Sequence, residues 1–208
     1  MDGTAGEILG EILGERLAEL GYVEVAEGQR GRVYLPPGAE AHAVKLFPAD
    51  DLAYLSLLRY TLDHPSPHLP RVLHGPVPLD DGTGWAVVIE RLDAPDDELS
   101  DHLLDEAGGF LLDVLNGDRD DDAARPGRWG SGLDASLRHT LLGIGRILLR
   151  GHGFLPDESA GNLLMRGDVP VLSDILCGRN GRAYAGTSPG PHDDGFAVLL
   201  DPAPAPRP

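Results

Sequence analysis

Cysteine and lysine are almost missing from this chain of 208 residues, each occurring once, as Cys177 and Lys45. A lone cysteine cannot close an intramolecular disulfide or build a cysteine zinc site, which points to a reducing compartment. The eight histidines are scattered along the chain and each reads as a surface or packing residue rather than a ligand, so a histidine metal site is not expected either. Also absent are a basic N-terminal stretch followed by an apolar run, and any segment near the roughly 20 apolar residues that span a bilayer. A cytoplasmic protein with no membrane partner is therefore expected. Positive charge is scarce too: 34 acidic residues face 17 basic ones, for a formal net charge of -17. That field repels a phosphate backbone, which argues against nucleic acid as a partner and suits a basic peptide or an aminated small molecule.

What is present is an ordinary globular composition, 41% hydrophobic and 25% charged, with 28 Gly and 18 Pro that predict short elements and long connections. The length suits one sizeable domain, or a small and a larger lobe. Ile8, Leu9, Ile12, Leu13, Leu17 and Leu20 recur at helical spacing up to Gly21, so residues 1–21 read as an N-terminal amphipathic helix. Residues 22–92 turn to β-favouring runs: Tyr22 to Val25, Val33 to Leu35, Ala41 to Phe47, Arg71 to His74 and Trp85 to Ile89. A helix from Asp51 to Leu62 interrupts them, with Leu52, Leu55, Leu58 and Leu62 on one stripe.

Glu90 to Asp93 reads as a linker into a helical second half, residues 93–200. Glu98 to Leu115 and Leu133 to Arg150 are its helices, the latter weakened by Gly143 and Gly145. The acidic stretch between them, Asn116 to Gly132, reads as a solvated loop rather than a metal site. Short strands follow around Leu163 to Met165 and Pro170 to Leu172, and the Pro-rich tail 201–208 is expected to be extended.

Two groups of residues carry chemistry. In the first, Gly28 and Gly31 lie between two strands, and Lys45 stands on the third within Ala43-Val44-Lys45-Leu46-Phe47. Glycine lets a hairpin backbone approach phosphate oxygens, and a strand-borne ammonium neutralises them from the opposite wall. The chain uses arginine for every other cation, so its only lysine in an apolar run marks a confined anion site. In the second group, Asp157 is followed five residues later by Asn162, and Asp174 comes twelve after that. A loop after a helix presents Asp157 to a substrate hydroxyl, while Asn162 and Asp174, separated by a β-hairpin, supply the hard oxygen ligands that Mg²⁺ requires.

The order of glycine hairpin, Ala-Val-Lys strand, helix, Val-Val-Ile-Glu-Arg-Leu linker, helical lobe, D-x-x-x-x-N loop and hairpin ending in aspartate resembles the protein kinase-like superfamily over residues 22 to 178. The likeness is to its small bacterial serine/threonine-kinase-like and aminoglycoside-phosphotransferase-like members, in minimal and divergent form. It implies an α+β, two-lobed fold, with a five-stranded antiparallel N-lobe and a reduced helical C-lobe that hold ATP between them. It also implies transfer of the γ-phosphate to a hydroxyl of a protein, peptide or small molecule. By this resemblance Lys45 holds the α- and β-phosphates, Asp157 is the catalytic base, and Asn162 and Asp174 bind magnesium. Gly28 and Gly31 cover the phosphates; Val33, Ala43 and Leu164 enclose the adenine, and the backbone around Glu90 and Leu92 binds its edge.

The sequence departs from the family pattern at several points. Ala26 stands where the first glycine of G-x-G-x-x-G belongs, and Gly153-Phe154-Leu155-Pro156-Asp157 replaces H-R-D. Ser159 occupies the place of a phosphate-stabilising cation, and Ile175-Leu176 follows Asp174 instead of Phe-Gly. No A-P-E segment follows. The helix after Lys45 offers no glutamate to pair with it, leaving Asp50 and Asp51 as the nearest carboxylates. The alternative expectation is therefore a pseudokinase, a nucleotide-binding or regulatory module that has lost transfer.

Overall fold

The computed structural model of the protein describes residues 13–28, 31–38, 41–79, 82–95, 97–117, 133–178 and 181–186. The fold is mixed α+β, with a five-stranded antiparallel sheet and four helices among these residues. The chain groups into two compact units. One takes the described residues up to Asp51 together with Arg71–Arg91, and the other takes Leu52–Pro70 together with those from Leu92 onward. Among the described residues no helix is long and apolar enough to cross a membrane.

The first unit opens with helix α1, residues 13–19. Gly21, at φ 84°, ends it, because that left-handed conformation is strained for any residue with a Cβ. The earlier apolar positions of the expected helix, Ile8, Leu9 and Ile12, lie outside the described residues. Strands β1 (Val23–Gly28), β2 (Gly31–Leu35), β3 (His42–Pro48), β4 (Val72–Pro78) and β5 (Gly84–Glu90) form the sheet in the order β1-β2-β3-β5-β4. Alternation puts Tyr34, Val44, Leu46, Ala86 and Val88 on one face, where they pack with Leu17 of α1 into a small core. Glu90, expected in the linker, belongs to β5. Its N–H donates to the Arg71 carbonyl at 3.0 Å, and its carboxylate accepts the Arg71 N–H at 2.7 Å, so the strand continues one residue further.

The second unit contains α2 (Leu52–Asp63), α3 (Asp97–Leu115) and α4 (Ala135–Ile144). The acidic stretch between α3 and α4 lies outside the described residues from 118 to 132, as does the tail 201–208. Helix α2 is buried on more than the leucine stripe: Ala53, Leu57 and Tyr60 enter the unit's core beside Phe110, Leu141 and Leu148. Ser56 and Thr61 can be buried there because their hydroxyls donate to the Leu52 and Leu57 carbonyls, at 2.6 and 2.8 Å. Burying each large apolar side chain of such a core contributes about 1.5–3 kcal/mol.

Helix α4 continues as a π turn, Gly145–Leu149, and a last α turn, Arg150–His152. The glycines expected to weaken it have a packing role instead. A Cβ at Gly145 would run into the Val114 side chain of α3, and one at Gly143 into the Tyr60 hydroxyl of α2. The expected hairpin is present as β7 (Leu163–Arg166) and β8 (Val169–Leu172), while the pair β6 (Leu155–Pro156) and β9 (Leu176–Cys177) carries no signal in a two-residue pattern. His68, only 3% exposed, ties the loop after α2 to β8 and α4. Its Nδ1–H donates to the Pro170 carbonyl at 2.9 Å, and its Nε2 bonds the Ser136 hydroxyl at 2.6 Å.

Candidate functional site

In the first unit the sheet register gathers the residues singled out for nucleotide binding. Val33 lies opposite Lys45 across β2 and β3, Lys45 lies opposite Val87 across β3 and β5, and Ala43 faces Ile89. Directly paired residues share a face, and alternation sends Val44 and Leu46 to the α1 side. Val33, Ala43, Lys45, Val87 and Ile89 therefore form one patch on the other face, with Lys45 half-buried among apolar neighbours. Gly28 pairs with Gly31 at the end of the first hairpin, and the residues between them lie outside the described set. Gly31 has φ 152°, and a Cβ there would sit 2.5 Å from the Leu46 carbonyl oxygen and 3.5 Å from Lys45 Cε. The hairpin backbone thus passes against the lysine's own stem, an approach that glycine alone permits. Of the nearest carboxylates, Asp51 is buried and Asp50 exposed.

The remaining residues, Leu92, Asp157, Asn162, Leu164 and Asp174, lie in the second unit. Leu92 precedes Asp93, which pairs with Met165, the neighbour of Leu164 on β7. Backbone bonds join the other three residues. The Asp157 N–H donates to the Ile175 carbonyl at 2.8 Å, immediately after Asp174. The Ser173 N–H donates to the Asn162 carbonyl at 2.8 Å, immediately before it. Asp174 is thereby held between one clasp to Asp157 and another to Asn162. The β6–β9 pair extends the first clasp, matching Pro156 with Leu176.

Side chains complete the arrangement. Asn162 Nδ2 donates to the Asp157 carbonyl at 3.3 Å, so its Oδ1 is not the atom engaged there. An amide oxygen and a carboxylate from Asp174 form an oxygen-only donor set, the kind that suits Mg²⁺, so these residues fit that ion. Among the described residues no group of three or more His, Cys, Asp and Glu side chains is placed to hold a metal ion.

Ser159 has a role that residue spacing did not suggest. Its N–H and hydroxyl both donate to Asp157 Oδ1, at 3.1 and 2.6 Å, closing a local turn over one carboxylate oxygen. The Asp-x-Ser spacing is a signal for that turn. Ser173, whose hydroxyl reaches the Asn162 carbonyl at 3.2 Å, is the other residue missed, and serine before an aspartate carries no comparable signal.

No family model matches this chain, and no curated protein matches it. Function is therefore read from the residues alone.

Proposed function

We propose that the protein is an ATP-dependent phosphotransferase of protein kinase-like form, acting on a hydroxyl of a protein, peptide or small molecule. The observation that carries this reading is the double clasp on Asp174, which ties a D-x-x-x-x-N loop to the aspartate at the end of the following hairpin. The patch of Val33, Ala43, Lys45 and Ile89 beside Gly31 adds a cation within an apolar, glycine-flanked surface.

In this reading Asp157 accepts the proton of the acceptor hydroxyl as that oxygen bonds to the γ-phosphorus. The bond from phosphorus to the β,γ-bridging oxygen breaks, and its electron pair leaves with ADP. Lys45 neutralises the α- and β-phosphates. Asn162 Oδ1 and the Asp174 carboxylate hold magnesium, which when bound offsets charge on the phosphate oxygens. Ser159 keeps the Asp157 carboxylate in one orientation, leaving Oδ2 for the hydroxyl. Positioning and charge supply most of the rate in such chemistry, so these few residues suffice.

The test begins with thermal denaturation in ATP and Mg²⁺. A nucleotide at 100 times its dissociation constant stabilises the folded state by about 2.7 kcal/mol. Wild type is expected to gain this and Lys45→Met to lose most of it; no shift for wild type defeats the reading. Transfer of labelled γ-phosphate to protein and small-molecule acceptor panels is then expected to vanish in Asp157→Ala.

A second reading, nucleotide binding without transfer, is favoured by the two bonds that Ser159 makes to Asp157 Oδ1, where the family pattern has a cation. It predicts the same thermal shift, with no transfer by wild type or by Ser159→Lys.

A further inference from the structure

The loop after α2 is stapled to both strands of the β7–β8 hairpin. Arg166, the last residue of β7, donates through Nη1 to the Pro67 carbonyl at 2.6 Å and through Nη2 to the Leu69 carbonyl at 3.0 Å. His68, between those two carbonyls, takes β8. Its own carbonyl accepts the Leu172 N–H at 2.9 Å, and its Nδ1–H donates to the Pro170 carbonyl at 2.9 Å.

The ring bond replaces one that proline removes. In an antiparallel bridge containing the Leu172 to His68 bond, the return bond to the Pro170 carbonyl comes from the N–H two residues beyond His68. That residue is Pro70, which has no N–H to give. The imidazole supplies the donor instead, so β8 gains a second edge partner opposite β7. The other ring nitrogen, Nε2, meets Ser136 Oγ at 2.6 Å in the first turn of α4. One side chain, 3% exposed, thus refers β8 to a helix of the core.

The open ends of this hairpin are the two residues assigned to magnesium. Asn162 directly precedes β7, and Asp174 follows β8 after Ser173 alone. The Ser173 N–H closes that end on the Asn162 carbonyl. A slip of β8 along its edge therefore moves Asp174 against Asn162. Partners that hold metal ligands in place are worth roughly 10–100-fold in metal affinity.

We propose that His68, backed by Arg166, is a positioning residue for the magnesium pair: it locks the register of β8 and so fixes Asp174 beside Asn162. The identity of the ion rests on the phosphotransferase reading; the clamp itself does not.

Two isosteric halves of the imidazole separate positioning from general stability. Asn places an N–H where Nδ1 stands and keeps the Pro170 bond, whereas Gln reaches the place of Nε2 and keeps only the Ser136 bond. Each variant loses one buried bond, so comparable falls in melting temperature are expected. In the full chain without nucleotide, His68→Gln is expected to speed amide exchange at Ser173 by about ten-fold beyond any change at core amides of α3, and His68→Asn to leave it near wild type. At saturating ATP, the Mg²⁺ concentration for half of the thermal shift is expected to rise about ten-fold in His68→Gln and to change less than about two-fold in His68→Asn. The ATP half-point at saturating Mg²⁺ is expected to hold in both. Arg166→Gln is expected to act in the same direction as His68→Gln, and it carries both measurements if His68→Gln does not fold. Absence of a thermal shift in wild type defeats the phosphotransferase reading, and Ser173 exchange then decides the clamp alone. Wild-type exchange at Ser173 in His68→Gln and Arg166→Gln overturns the proposal, as does an equal Mg²⁺ response of the Asn and Gln variants.

Discussion

Gly31 combines two constraints that act on the same atom. Its φ of 152° strains any residue with a Cβ, and the Leu46 carbonyl, 2.5 Å from where that Cβ would lie, is backbone that cannot swing aside. Gly31→Ala is expected to cost about 2–3 kcal/mol in urea denaturation, since the hairpin must then lift from the β3 backbone. Tyr184 supplies a test at high pH. Its hydroxyl donates to Asp63 Oδ2 at 2.7 Å, and burial, followed by that carboxylate, pushes the phenol up to about 12 from 10.0. The folded state holds this proton more tightly than the unfolded chain. The contribution is therefore complete below pH 10 and is lost as pH rises through about 12. Tyr184→Phe is expected to cost about 1 kcal/mol at neutral pH and to flatten the decline of the urea midpoint over that alkaline window.

At the scale of elements, α4 depends on its first residues and on its glycines. Asp134 caps it, accepting the Ser136 and Leu137 N–H groups at 2.7 and 3.0 Å. The Ser136 hydroxyl is the largest influence holding the Asp134 carboxyl below its ordinary 3.8, with the two backbone bonds and His68 adding to it. A depressed carboxyl contributes stability above the unfolded value and loses it as pH falls through the folded one. Asp134→Ala is expected to lower stability at pH 7 by about 1 kcal/mol, and to narrow its difference from wild type below pH 3.8. Gly143→Ala tests the crossing of α2 and α4. Helix propensity alone favours alanine by about 1 kcal/mol, whereas displacing the Tyr60 hydroxyl costs about 1–3 kcal/mol. A net loss in melting temperature is expected, and a gain would contradict the observed packing.

For the whole molecule, the two units are not two consecutive stretches of chain. The sheet needs β4 and β5, which return after α2, and the core residues Ala53, Leu57 and Tyr60 of α2 need Phe110, Leu141 and Leu148 from much later. A fragment of residues 1–91 therefore contains all five strands together with a helix stripped of its core partners. It is expected to show no cooperative transition of its own by circular dichroism, or to aggregate through α2. The formal charge of -17 adds self-repulsion, so moderate NaCl is expected to raise the melting temperature of the full chain by screening.

Much of this architecture can be read from local pattern. The β-favouring runs located all five strands of the sheet, because residue type and glycine- or proline-rich turns are properties of neighbouring residues. The helix after β3 and the two later helices were legible for the same reason, within a few residues at their ends. Lys45 stood out by rarity, and Asp157, Asn162 and Asp174 by spacing. Tertiary structure decided what spacing cannot carry. A two-residue pairing such as β6 with β9 has no periodicity, and Gly143 and Gly145 read as helix weaknesses until Tyr60 and Val114 are found in the space they leave. The clasps from Asp157 to Ile175 and from Ser173 to Asn162 are backbone bonds, which side-chain identity does not encode. Sequence pattern thus determined the elements and singled out the candidate side chains; the fold decided which of them meet, because closure across many residues depends on packing that no local window contains.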